Sequence, residues 1–236
     1  MARKQAISSR GPGRGLLARP LDALVFLLPL LLFCEIASFR CPDRVIAFDV
    51  VRRFFELFGH VGVLAPGLAV IAILIATHAA SGEPWRIHGK IVAMMYVEAG
   101  LLAVPLLALS WIVPLAAGET CAAGLFNRLA FGVGAGVYEE LVFRLILISF
   151  MIMIGADLFH LRRSSVAMTA IIASSLLFAA HHHQPIGQEP FDLLRFAFRS
   201  SAGMYLALVF WFRGYGPAAG CHAAYNVALM TPSLIQ

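Results

Sequence analysis

Charge is the scarcest resource in this chain. Only 13% of its 236 residues are Asp, Glu, Lys or Arg, against roughly 25% in soluble domains, and 60% are apolar. No polar stretch is long enough to build a separate soluble domain. No Cys-x-x-Cys pair occurs among the four cysteines, which removes the usual zinc-ribbon and thioredoxin-like patterns. His-Glu-x-x-His is missing as well, and no serine or cysteine has an evident base beside it. The basic N-terminal tail, residues 1–20, contains no acid but has Arg3, Lys4, Arg10, Arg14 and Arg19. Such a tail just before an apolar run marks the cytoplasmic side of a membrane, and no nucleic-acid partner is expected. The run from Leu21 is long for a signal-peptide core, and FRCPD after it is a poor cleavage site.

What the chain does have is long apolar runs. With about 20 residues needed to cross a bilayer, they predict an all-α, polytopic integral membrane bundle of about seven transmembrane helices. The runs are Leu21 to Phe39, Val61 to Ala80, Ile91 to Ala117, Phe126 to Ile154, Val166 to His182, Leu193 to Phe212 and Pro217 to Leu234. Val45 to Phe58, which mixes charges with aromatics, reads as an interfacial amphipathic helix. Lys and Arg in the loops GEPWRIHGK and ADLFHLRRSS and at Arg213 favour a cytoplasmic N-terminus; Arg40, Arg44, Arg52 and Arg53 run against that orientation. Cys41 and Cys121 then share the outer, oxidising face, where a disulfide between them is open. Cys34 and Cys221 lie in apolar runs, as packing residues do. Three parts are expected: the tail 1–20, N-terminal transmembrane helices with the interfacial helix over 21–125, and a transmembrane core over 126–236. Short loops and a basic tail suit a bacterial inner membrane.

Against that background three charges stand out. GVYEELVFRLIL places Glu139, Glu140 and Arg144 inside an apolar run, at about 2.5–3.5 kcal/mol for each unpaired charge at mid-bilayer. Glu140 and Arg144 are i, i+4 and share a helix face, so that pair neutralises itself. Glu139 is turned about 100° away and has no partner on its own helix. Gly132 and Gly136 form Gly-x-x-x-Gly, a spacing that admits a neighbouring helix. Later runs carry Phe178 with His182, and His222 with Asn226, both at i, i+4. A single histidine at a span end is more often an interfacial side chain; three spans with inward polar groups read together as a buried polar site. Glu139 with His182 would activate a water, and His222 with Asn226 would donate to an oxyanion, so the expected chemistry is direct water attack on an amide.

These residues resemble the three motifs of the CAAX-protease and bacteriocin-processing family of intramembrane glutamate proteases, which includes the eukaryotic Ras-converting endopeptidase. Glu-Glu-x-x-x-Arg is Glu139-Glu140-Leu-Val-Phe-Arg144, Phe-x-x-x-His is Phe178-Ala-Ala-His-His182, and His-x-x-x-Asn is His222-Ala-Ala-Tyr-Asn226. The resemblance covers about Gly132 to Asn226. It implies a conical intramembrane cavity, catalytic Glu139, His182, His222 and Asn226, a supporting pair Glu140 and Arg144, no cofactor or metal, and a membrane-proximal protein or peptide substrate. In the run His181-His182-His183 only His182 lies four residues after Phe178. Two alternatives stay open: a zinc metalloprotease built on Glu139, His182 and His222, and a non-catalytic membrane scaffold or immunity protein. A proton-coupled transporter fits less well, because no two-half repeat is visible. The boundaries conflict in one respect, since His182 ends its run on one side of the membrane while His222 begins its run on the other.

Overall fold

The computed structural model describes residues 19–40, 64–112, 124–187 and 189–231. The expected interfacial helix at Val45 to Phe58, Cys41, Cys121, and the tail before residue 19 lie outside the described residues. Among the described residues the apolar runs fold into seven continuous helices: α1 (Pro20–Arg40), α2 (Ala65–Ser81), α3 (Gly89–Ile112), α4 (Leu125–Leu158), α5 (Arg163–Ala180), α6 (Leu193–Arg213) and α7 (Tyr215–Met230). No β-strand is formed among the described residues. Helices α1, α3, α4, α5 and α6 are long and apolar enough to cross a membrane, whereas α2 has 17 residues and α7 has 16. The protein is an integral membrane protein. On α3 the side chains of Met94, Val97, Leu101, Val104 and Trp111 are exposed, as an outward apolar face in lipid should be.

Helix α7 is the axis of the bundle. Nine consecutive residues, Tyr215 to Ala223, are buried, and most are Gly, Ala or Cys, small residues that let helices close on one another from several sides. One apolar cluster joins α7 to α1, α2, α3 and α4, and a second joins it to α3 and α6 through Ala103, Leu106, Phe198, Leu206 and Cys221. Cys34 and Cys221 are both buried, as expected for packing residues. Without water, backbone carbonyls also serve as inter-helix ties: Tyr215 Oη donates to Val137 O at 2.9 Å and Tyr205 Oη to Leu102 O at 2.8 Å.

The Gly-x-x-x-Gly spacing works where α4 meets α7. A methyl group on Gly136 would lie 2.5 Å from Ala223 N and 2.7 Å from Ala223 Cα, and backbone cannot step aside alone. Gly136→Ala is therefore expected to push α7 off α4 and to lower the thermal unfolding temperature in detergent. Gly100→Ala is the control, because its methyl would meet nothing within 4 Å.

Helix α4 is not uniform. It is α-helical to Glu140, π-helical over Leu141–Ile148, α-helical over Ser149–Ile152 and π-helical again over Met153–Leu158. Wide turns of this kind are frequent at functional sites. Ser174 on α5 donates to Phe143 O at 2.7 Å within the first wide turn.

Candidate active site

Glu139 and Glu140 end the α-helical part of α4 and are buried, with 4% and 0% of their surface exposed. Arg144 lies one turn on, at 0% exposure. Its Nη1 is 3.1 Å from Glu140 Oε1, as the i, i+4 spacing predicts. That contact is an ion pair by distance without hydrogen-bond alignment, and Nε and Nη1 have no hydrogen-bond partner. Nη2 donates to Gly203 O on α6 at 3.1 Å. The guanidinium lies 4.5 Å from the centre of the Phe178 ring, a cation–π distance.

Helix α7 brings His222 to the same carboxylate. His222 Nδ1 lies 2.9 Å from Glu140 Oε1. An ionised carboxylate only accepts, so Nδ1 carries the proton. Nε2 then points to the other glutamate, 3.8 Å from Glu139 Oε2. Asn226 Nδ2, one turn further along, donates to Gly132 O at 3.0 Å, which engages one of its two N–H groups.

The end of α5 supplies the remaining imidazoles. The helix stops at Ala180, and the amide of His182 reaches Ala179 O instead of Phe178 O. Phe178 O instead lies 2.9 Å from His181 Nδ1 and 2.9 Å from His182 Nδ1. A carbonyl accepts only, so both rings hold a proton on Nδ1 and turn Nε2 toward Glu139. Those atoms lie 3.9 Å and 4.0 Å from Glu139 Oε1. Glu139, His181 and His182 also form a group whose potential ligand atoms lie within 4.8 Å of one another. His181 thus stands where the zinc alternative had placed His222. The sequence motif passes over His181, because on a continuing helix the two neighbours would diverge by about 100°.

The apparent conflict of depth between His182 and His222 resolves in the path of the chain. From Gly203, at the level of Arg144, α6 continues ten residues to Arg213, about 15 Å of helix, and α7 returns seven residues from Tyr215 to His222, about 10 Å. α5 in turn ends at Ala180, and residues 181–187 and 189–192 pack by its end. Glu189 anchors this segment: its oxygens accept from Arg199 on α6 at 2.7 and 2.8 Å, and its amide donates to His182 O at 3.2 Å. Hydrogen bonding from Arg199 holds the Glu189 carboxyl below the usual carboxylate range. Tyr138, next to Glu139, pins the opposite face of α4 by donating to Glu35 of α1 at 3.0 Å, a contact without a sequence signal.

A helical membrane bundle in which two buried carboxylates, a buried guanidinium, the buried His222 and the half-buried His181 and His182 meet at one junction defines a polytopic membrane protein with an internal polar site. Residues 121–228 match the sequence model of a family described as Rce1-like, type II CAAX prenyl endopeptidase. That match covers less than half of the chain and spans all three motifs. Neither a curated protein nor a solved structure matches the chain.

Proposed function

We propose that the protein is an intramembrane glutamate-type endopeptidase that cleaves a membrane-associated protein or peptide by direct attack of water. The observation that carries this reading is the spacing around Glu139. Three imidazole Nε2 atoms face its oxygens at 3.8–4.0 Å, too far for direct hydrogen bonds and suited to a bridging water.

In this mechanism a water held between Glu139 and His182 donates to the carboxylate and to Nε2. As its oxygen attacks the scissile carbonyl carbon, Glu139 takes the proton. His222 then donates from Nε2 to the developing oxyanion while Glu140 holds Nδ1–H. The second N–H of Asn226 supplies the other donor. Glu139 passes its proton to the departing amine, and the C–N bond breaks. Arg144 holds Glu140 in place. Residues 126–236 form the catalytic core, with the helices of 21–125 as its support, a cytoplasmic N-terminus and the bacterial inner membrane as its setting.

Because His181 offers a second Nε2 at nearly the same distance, His182→Ala is expected to retain some cleavage and His181→Ala/His182→Ala essentially none. Terminal-peptide proteomics of membranes carrying wild type or the double variant tests both activity and substrate. Identical sets of protein termini would sink the proposal.

A further inference from the structure

The vicinal histidines do more than the hydrolytic reading requires. Water activation needs one imidazole beside Glu139, yet two present Nε2 atoms to the same oxygen, Oε1. Their rings meet edge to face with centroids 4.0 Å apart, and one backbone carbonyl, Phe178 O, fixes both tautomers. That is the outer-shell arrangement of metal-binding histidines, whose second ring nitrogen donates to a carbonyl or carboxylate. Phe143 and Phe178 pack on the rings at 5.2 and 5.1 Å, which shields the group and favours ligands over free solvent.

We infer that Glu139, His181 and His182 form a zinc site whose occupation switches the peptidase off. Two imidazole nitrogens and a carboxylate oxygen are a zinc donor set. Tetrahedral zinc at about 2.0–2.2 Å from each ligand separates ligand atoms by roughly 3.4 Å, so the observed 3.9 and 4.0 Å to Oε1 require contraction by about half an ångström. His222 stays outside: it faces Oε2, and its Nδ1 is held by Glu140. Inhibition follows from the lack of a spare base. Once Glu139 is a ligand it no longer takes a proton from water. Glu140 does not stand in for it: Arg144 and His222 hold its Oε1, and its Oε2, which has no hydrogen-bond partner among the described residues, is closed off from water. The ion also takes the Nε2 lone pairs that would orient the water. The inhibitory part rests on the hydrolytic reading; the metal site does not.

The test uses the full chain in detergent, stripped of metal. Zinc affinity is measured by competition with a chromophoric chelator for wild type, His181→Gln, Glu139→Gln and His222→Gln. One zinc per chain is expected, bound more than tenfold more weakly by the first two variants and within about threefold of wild type by the third; even an outer-shell loss costs about 10–100-fold. If His181→Gln does not purify, His182→Gln replaces it. Zinc inhibition of a cleaved reporter is then measured relative to each preparation's own zinc-free rate. Wild type should lose activity at the zinc concentration that fills the site and regain it on chelation, and the curve for His181→Gln should shift by its change in affinity. Absence of stoichiometric binding, affinity unchanged by both ligand substitutions, or a cleavage rate raised by zinc would overturn the inference. Zinc binding that both substitutions weaken, in a protein that cleaves nothing with or without zinc, upholds the metal site and overturns the peptidase reading on which inhibition rests.

Discussion

Replacing Glu139 by glutamine is expected to slow peptide-bond cleavage by about a thousandfold, within the range of 10²–10⁴ that a positioned general base contributes, with little change in folding. The amide has nearly the shape of the carboxylate, so the space beside His181, His182 and His222 survives. What disappears is the proton acceptor. Glu139 bonds to no other helix through a short contact; its neighbours stand at 3.8–4.0 Å. The variant should therefore elute and melt like wild type. Reporter cleavage together with thermal unfolding in the same detergent separates the two effects. A glutamine variant that cleaves within tenfold of wild type would exclude Glu139 as the base.

Arg144 calls for the opposite pattern, a large loss of stability. Arg144→Met leaves Glu140 fully buried with His222 as its remaining partner among the described residues, and removing one member of a buried pair typically costs roughly 3–5 kcal/mol. Arg144→Lys should not restore it. The guanidinium reaches Glu140 with Nη1 and Gly203 O with Nη2 while lying over Phe178, three contacts from one plane that a single ammonium cannot reproduce. Both variants are expected to unfold at lower temperature than wild type and to lose cleavage as His222 loses its anchor. A lysine variant with wild-type melting and wild-type turnover would show that charge alone is needed at this position.

The parts of this site legible in the sequence are those set by one helix. Apolar run lengths predicted six of the seven helix starts to within about three residues, because burial in lipid needs length and apolarity and little else. The ion pair of Glu140 with Arg144 was likewise readable from its i, i+4 spacing. Contacts between helices were not. His222 was expected near the oxyanion, and nothing in its own helix indicates that its Nδ1 would meet Glu140. The bond from Asn226 to Gly132 O depends on how far α7 sinks along α4, which the two glycines permit without specifying. His181 escaped because i, i+4 reasoning assumes a continuing helix, and α5 ends one residue before it.

That helix end has a consequence for how the protein tolerates change in length. Both imidazoles depend on Phe178 O, which is available because the backbone ladder of α5 has released it. One inserted residue within Arg163–Ala180 would rotate the histidines by about 100° and displace them about 1.5 Å along the axis, away from Glu139. An insertion beside Pro190, beyond the Glu189 anchor, would move neither. The end of α5 therefore acts as a fixed ruler mark, and variation in chain length should be confined to the far side of Glu189.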